Sequence, residues 1–174
     1  MMKIILLVLV MLASCAPALA QKNDDWKIEI DYDKFKDVTT TLLAPMPISD
    51  DKARLPVFLF AAFQCPGQAT CRLEGVILGF AIVTLTEEYS GQGMARSIRD
   101  GIRQPPHKLT YLGPSPASLS IPFLSHPFKA MLRPEGLIKI ANSKQVEFQI
   151  DTLEFTLTAQ NLAALRGLAS RMQP

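Results

Sequence analysis

Two apolar runs, residues 57–63 (VFLFAAF) and 76–85 (VILGFAIVTL), flank a short segment that carries Cys65 and Cys71. Both are dense in Val, Ile and Phe and are bounded by Pro or Gly, so they read as strands buried on both faces, with helix the competing reading. Between the two cysteines, Pro66-Gly67 can reverse the chain and bring the thiols together. In an exported protein such a pair is by default a disulfide. Closing so small a loop contributes about 2 kcal/mol, which pins one turn and does not hold up a whole fold. The spacing is not C-x-x-C, and no His or second Cys pair stands nearby to complete a metal shell, which disfavours a redox or zinc role.

Export is predicted by the first residues. Lys3 supplies a positive start, residues 4–12 (IILLVLVML) are unbroken and apolar, and small residues follow, which is the order of a secretory signal peptide. The run is too short to span a bilayer, which takes roughly 20 apolar residues as a helix. Two processing sites compete. Ala18-Leu19-Ala20 fits the A-x-A rule, making residues 1–20 the signal and 21–174 the mature chain. Leu12-Ala13-Ser14-Cys15 resembles the lipobox of bacterial lipoproteins, which would remove residues 1–14 and leave Cys15 acylated; Ala16 after the cysteine would then direct the protein to the outer membrane. Cys15 set aside, the remaining two cysteines make a pair.

A length of 174 residues suits one domain, and 48% hydrophobic against 20% charged residues excludes disorder for most of it. The formal charge of +2 falls to +1 without Lys3, the one charged residue in 1–20, and so near-neutral a balance argues against a nucleic-acid binder.

Along the mature chain strands come first and helices last. Trp26, Ile28, Ile30 and Tyr32 alternate with Lys27, Glu29 and Asp31, predicting a strand with one wet face. Residues 33–37 predict a turn, 38–43 a strand stopped by Pro45 and Pro47, and 49–54 a polar loop. Asp100-Gly101, between short apolar and basic segments, predicts a type I′ hairpin that residues 108–112 extend. With Pro114, Pro116, Pro122 and Pro127, residues 113–127 read as an extended surface connection and not as a central strand. Pro134-Glu135 opens a short helix with Leu137, Ile138 and Ala141 as its stripe. Val146, Phe148 and Ile150, then Leu153, Phe155 and Leu157, predict a hairpin turning at Asp151-Thr152. Thr158 caps a final amphipathic helix with Leu162, Leu165, Ala169 and Met172 on one face and Arg166 and Ser170 on another. The expected fold is mainly β: β-sandwich-like antiparallel sheets, covered by the short helix and the C-terminal helix, in one domain.

Tyr32-Asp33-Lys34-Phe35 followed by Val38-Thr39-Thr40, the cysteine loop before an apolar strand, Asp100-Gly101 before a basic residue, and the closing stretches Val146-Glu147-Phe148, Glu154-Phe155-Thr156-Leu157 and 162–171 together resemble a group of uncharacterised bacterial exported proteins. The resemblance spans most of the mature chain and rests on spacing. It implies a β-sandwich-like domain with a packed C-terminal helix; the group has no assigned activity, so the resemblance carries nothing for chemistry.

No catalytic, cofactor-binding or metal-binding motif emerges. His107 and His126 stand beside prolines without a His or Glu at i+3 or i+4, so both read as surface histidines. Ser115 in Gly113-Pro114-Ser115-Pro116-Ala117 fails as a hydrolase nucleophile because Pro116 lacks the N–H that an oxyanion hole needs. Gly91-Gln92-Gly93 reads as a turn, and Asp24-Asp25, Asp50-Asp51 and Glu87-Glu88 as solvated loop ends. Phe58, Phe60, Phe63, Phe80, Phe148 and Phe155 read as core. One asymmetry stands out: Arg96, Arg99, Arg103 and Lys108 against the single acid Asp100. A basic hairpin of this kind fits an anionic partner such as a phospholipid headgroup, lipopolysaccharide or an acidic protein face, and its alternative is an ordinary solvated strand. The expected function is a non-enzymatic structural or binding module of the bacterial cell envelope, reaching the membrane through Cys15 if acylated; a small envelope enzyme or a ligand-binding protein is the alternative.

Overall fold

A computed structural model describes residues 26–48, 55–67, 71, 73–84, 94–113, 115–118 and 121–172. The signal segment with Cys15, the 49–54 loop, Asp24-Asp25, Asp50-Asp51, Glu87-Glu88 and Gly91-Gln92-Gly93 lie outside the described residues.

Twelve strands and two helices are described. The strands are β1 (Ile28–Asp33), β2 (Val38–Ile48), β3 (Val57–Pro66), β4 (Val76–Thr84), β5 (Met94–Arg99), β6 (Ile102–Arg103), β7 (His107–Lys108), β8 (Thr110–Tyr111), β9 (Ser115–Ser118), β10 (Ile121–Leu132), β11 (Val146–Ile150) and β12 (Leu153–Thr156). The helices are α1 (Pro134–Ala141) and α2 (Ala159–Ala169). A large sheet runs β1-β2-β3-β4-β10-β8, with β9 also on β10, and a small sheet runs β12-β11-β5-β6, with β7 also on β5. All pairings between these strands are antiparallel, and the fold is mainly β, sandwich-like, with helices covering the sheets as expected.

The layers meet through aromatic rings. Phe80 of the large sheet has its ring 4.9 Å from Phe148 and 5.2 Å from Phe155 of the small sheet, inside one apolar cluster. Beside the small sheet, α2 packs on β2 and β3, and α1 packs on α2, β4 and β10. Thr158 caps α2 as expected: its hydroxyl accepts the Asn161 amide N–H at 3.1 Å, and the Thr158 amide N–H donates to Asn161 Oδ1 at 2.9 Å. Asn161 is fully buried and also donates to the Pro47 carbonyl at 3.1 Å, tying the helix start to β2.

Several expectations need correction. β2 does not stop at the prolines. Beyond Leu43 it has no strand partner on the β1 side, and a register shift between Leu43 and Met46 accommodates the chain, so Pro45 and Pro47 sit where a strand tolerates a missing donor. Residues 121–132 form a central strand and not a surface connection. Pro122 falls in a register shift, and Pro127 lies between the short partners β8 and β9, where its carbonyl accepts from Leu112 at 3.0 Å and no reciprocal donor is required. β3 and β4 are not buried on both faces: Val57, Leu59, Ala61 and Phe63 are buried while Phe58, Phe60 and Ala62 on the opposite face are half-buried. The ribbon ends at Lys108, because buried Leu109 carries the chain from β7 in the small sheet to β8 in the large one. In α1 the buried stripe is Leu137, Ile140 and Ala141, and Ile138 turns outward.

Candidate functional site

The hairpin between β5 and β6 forms as its Asp-Gly pair dictates. Asp100 has φ 50° and Gly101 φ 79°, the two positive values of a type I′ turn. The Asp100 carboxylate accepts amide N–H bonds from Gln145 at 3.0 Å and Lys144 at 2.8 Å, which locks the turn to the start of β11. Those bonds, with Gln145 first, hold its carboxyl below the usual aspartate range.

Strand alternation then divides the basic residues. Arg96 lies on the outer face of the small sheet, and Arg103, which pairs with Ile98, lies on the same face. Arg99 turns to the other side, where its guanidinium donates to Gln104 Oε1 at 2.8 Å and it lines a cavity of about 200 Å³ with His107 and Lys139. Lys108 is exposed on β7 opposite Met94 and lines neither cavity. Of the four, only Arg96 and Arg103 share a cleft.

That cleft is about 400 Å³, and its polar lining is not purely basic: Glu147 and Gln149 of β11 and Glu154 of β12 face Arg96 and Arg103. Gln149 bridges the two sides, accepting from Arg96 at 3.4 Å and donating to Glu154 at 3.0 Å. Glu147 accepts from Gln145 at 2.7 Å. Among the described residues no ion pair joins these arginines to these glutamates, and Arg103 has no hydrogen-bond partner; the ion pairs present, Lys27–Glu29 and Lys36–Asp33, lie in the β1–β2 hairpin. Two guanidiniums and two carboxylates thus share one concave surface with bonding capacity to spare. The acids were missed in the sequence because they lie some fifty residues from Arg96 in the chain; the signal available was the polar half of the β11 alternation, Glu147 and Gln149.

His126 corrects another expectation, for it is fully buried. Its Nδ1 lies 2.8 Å from Tyr111 Oη and its Nε2 3.0 Å from Thr84 Oγ1, so hydroxyls from β8 and β4 satisfy a buried imidazole at one end of the inter-sheet core. The prolines on either side concealed the period of two that joins His126 to Phe128, Ala130 and Leu132. His107 is half-buried on β7. Ser115 opens β9, paired with Ser125, and is not at a strand-to-helix turn. Cys65 and Cys71 lie at disulfide distance, with Cα atoms 5.5 Å apart.

The chain was compared with protein families, curated proteins and solved structures, and none of them matches it.

Proposed function

We propose that this protein is an exported, non-enzymatic binding module of the bacterial cell envelope, and that its working surface is the outer face of the small sheet. The observation that carries the reading is the cleft in which Arg96 and Arg103 confront Glu147 and Glu154 without ion-pairing to them. A ligand with an anionic group and a nearby ammonium or hydroxyl group satisfies both sets at once, whereas a purely anionic one meets repulsion from the glutamates. A volume of about 400 Å³ suits a group the size of a lipid headgroup. The apolar run at 4–12 and the cysteine pair at disulfide distance support export, and acylation of Cys15 would place the cleft near a membrane surface.

Glycerophosphoethanolamine, which carries phosphate and ammonium together, is the direct test by NMR titration of the purified protein. Shifts are expected at Arg96, Arg103 and Glu154, with affinity falling as salt rises. Arg96→Glu with Arg103→Glu should weaken binding by about tenfold or more, since hydrogen bonds to charged groups contribute about 1.5–3 kcal/mol each. Arg99→Ala, on the other face, should leave it unchanged. Urea unfolding of each variant, read alongside, separates lost binding from lost folding, since the charge reversal sets four carboxylates in one cleft and Arg99→Ala removes the bond to Gln104. Equal affinity of the double variant and the wild type, or equal loss in Arg99→Ala, would overturn the reading.

A further inference from the structure

We infer that the cavity between the inner face of the small sheet and α1 is a second binding site, built for a small organic acid that carries one carboxylate on an apolar body the size of a single ring. It lies on the opposite side of β5 from the cleft and does not depend on the cleft being a binding site.

Strand alternation builds the polar wall. Ser97 and Arg99 of β5 stand opposite Phe148 and Val146 of β11, whose side chains enter the core, so Ser97 and Arg99 point inward as well. His107 of β7 stands opposite Ala95, the next inward residue of β5, and joins the same face. From the other side α1 brings Lys139. All four line one cavity of about 200 Å³, and among the described residues no acid lines it.

Nothing among the described residues neutralises the two cations. Lys139 follows Glu135 by one helical turn yet forms no ion pair with it, and Arg99 uses one guanidinium donor on the neutral Gln104 and keeps the rest. Nor does a hydrogen bond reach the Lys139 ammonium, the His107 ring or the Ser97 hydroxyl. Ser97 is the most telling of these. It is only 7% exposed, and a hydroxyl so buried ordinarily has a partner; here the hydroxyl opens on the cavity.

The remaining wall is apolar. Leu132, Ile140 and Val146 are buried and form the floor, and Gly136 of α1 contributes no side chain. Glycine lowers helix stability relative to alanine, and a Cβ at Gly136 would meet Leu132 Cβ at 3.8 Å, an ordinary contact. Packing therefore does not require glycine there; its effect is to leave the space open.

This combination selects the ligand. A lone phosphate would satisfy the donors but set oxygens against Leu132, Ile140 and Val146, where nothing bonds them. A neutral apolar molecule would leave both cations and the buried hydroxyl unmet. A carboxylate answers the donors through its two oxygens while an apolar body covers the floor. An apolar cavity of about 150 Å³ takes a benzene molecule, so one of about 200 Å³ takes a ring with its carboxylate. Glycerophosphoethanolamine is excluded, because its ammonium would meet Arg99 and Lys139 with no acid to receive it. The two sites therefore answer to different probes.

The test is an NMR titration of the purified protein with sodium benzoate, run beside benzyl alcohol and inorganic phosphate. Benzoate is expected to bind saturably and to shift the Ser97, Arg99, His107 and Gly136 amides, and the other two probes should bind about tenfold more weakly or not at all. Arg99→Gln should lower benzoate affinity about tenfold, and Lys139→Gln, which removes an exposed charge bonded to nothing else, severalfold. Gly136→Leu fills the cavity without altering charge and should abolish binding. Should Arg99→Gln unfold through loss of the Gln104 bond, the other two variants decide the matter. Absence of saturable shifts, shifts confined to the cleft around Arg96 and Arg103, equal affinity for phosphate or benzyl alcohol, or unchanged affinity in Lys139→Gln and Gly136→Leu would overturn the proposal.

Discussion

The two sheets use the same strand alternation to opposite ends. In β11 of the small sheet, Val146, Phe148 and Ile150 enter the core while Glu147 and Gln149 face out into the cleft. In β3 and β4 of the large sheet the inner face is apolar too, but the outer face is covered by its own side chains: the Phe60 ring lies over Gly79, in the space a Cβ there would need. A substituent at Gly79 would have to displace a ring, which is why glycine stands in the middle of an otherwise bulky strand. The difference teaches where stability and recognition reside. The large sheet supplies apolar area and shields it, and the small sheet contributes one face to the same core and offers charged groups with spare bonding capacity on the other.

The largest expected effect tests whether the sheets share one core. Phe80→Ala removes the ring that touches both Phe148 and Phe155 and should cost about 3–5 kcal/mol in urea unfolding, with Phe155→Ala costing a similar amount from the other side. Both variants should keep a single transition; two separate transitions would show that the sheets unfold independently. A smaller effect distinguishes the large sheet. Cys65→Ser with Cys71→Ser should cost about 2 kcal/mol and loosen hydrogen exchange around Gly67, whose amide donates to Asp37 at 2.7 Å, while leaving the small sheet's amides protected. Alkylation of the denatured protein should label neither cysteine until a reductant is added; labelling of both beforehand would show that the bond does not form.

The smallest effect compares the turns, for each sheet has an aspartate accepting two amides. The Phe35 amide bond holds Asp33 below its usual range in the large sheet, and the Gln145 amide does the same for Asp100 in the small one. A depressed folded pKa contributes stability that is fully present above the unfolded value of about 3.9 and is lost as pH falls through the folded value. NMR titration should therefore find both carboxyls still ionised at a pH where an aspartate in an unfolded chain, near about 3.9, has begun to protonate. The Lys144 and Gln145 amides should lose protection only as Asp100 titrates. Titration of Asp100 at an ordinary value would break the parallel between the turns.

Much of the fold was legible residue by residue because it is local. Turn chemistry at Asp100-Gly101 and Asp151-Thr152, the cap at Thr158 and the period of two in β11 and β12 each act within a few residues, and the structure bears them out. Where the reading failed, a local rule met a non-local exception. Pro45, Pro47, Pro122 and Pro127 disqualify a strand only if a neighbour needs their N–H, and whether it does depends on how far β1, β8 and β9 extend alongside. His126 went unrecognised as a core residue for the same reason, since the hydroxyls that make its burial tolerable come from Thr84 and Tyr111 on other strands. The four basic residues were visible as a cluster in the chain, but strand alternation separated Arg99 from Arg96 and Arg103, and the pairing of β11 with β5 and β12 brought in Glu147 and Glu154. Sequence alone determined the turns, the helix cap and the strands without proline, because backbone propensities and turn geometry are short-ranged. Tertiary structure decided which charges share a cleft and which strand is left as an edge, because those depend on register between segments far apart in the chain.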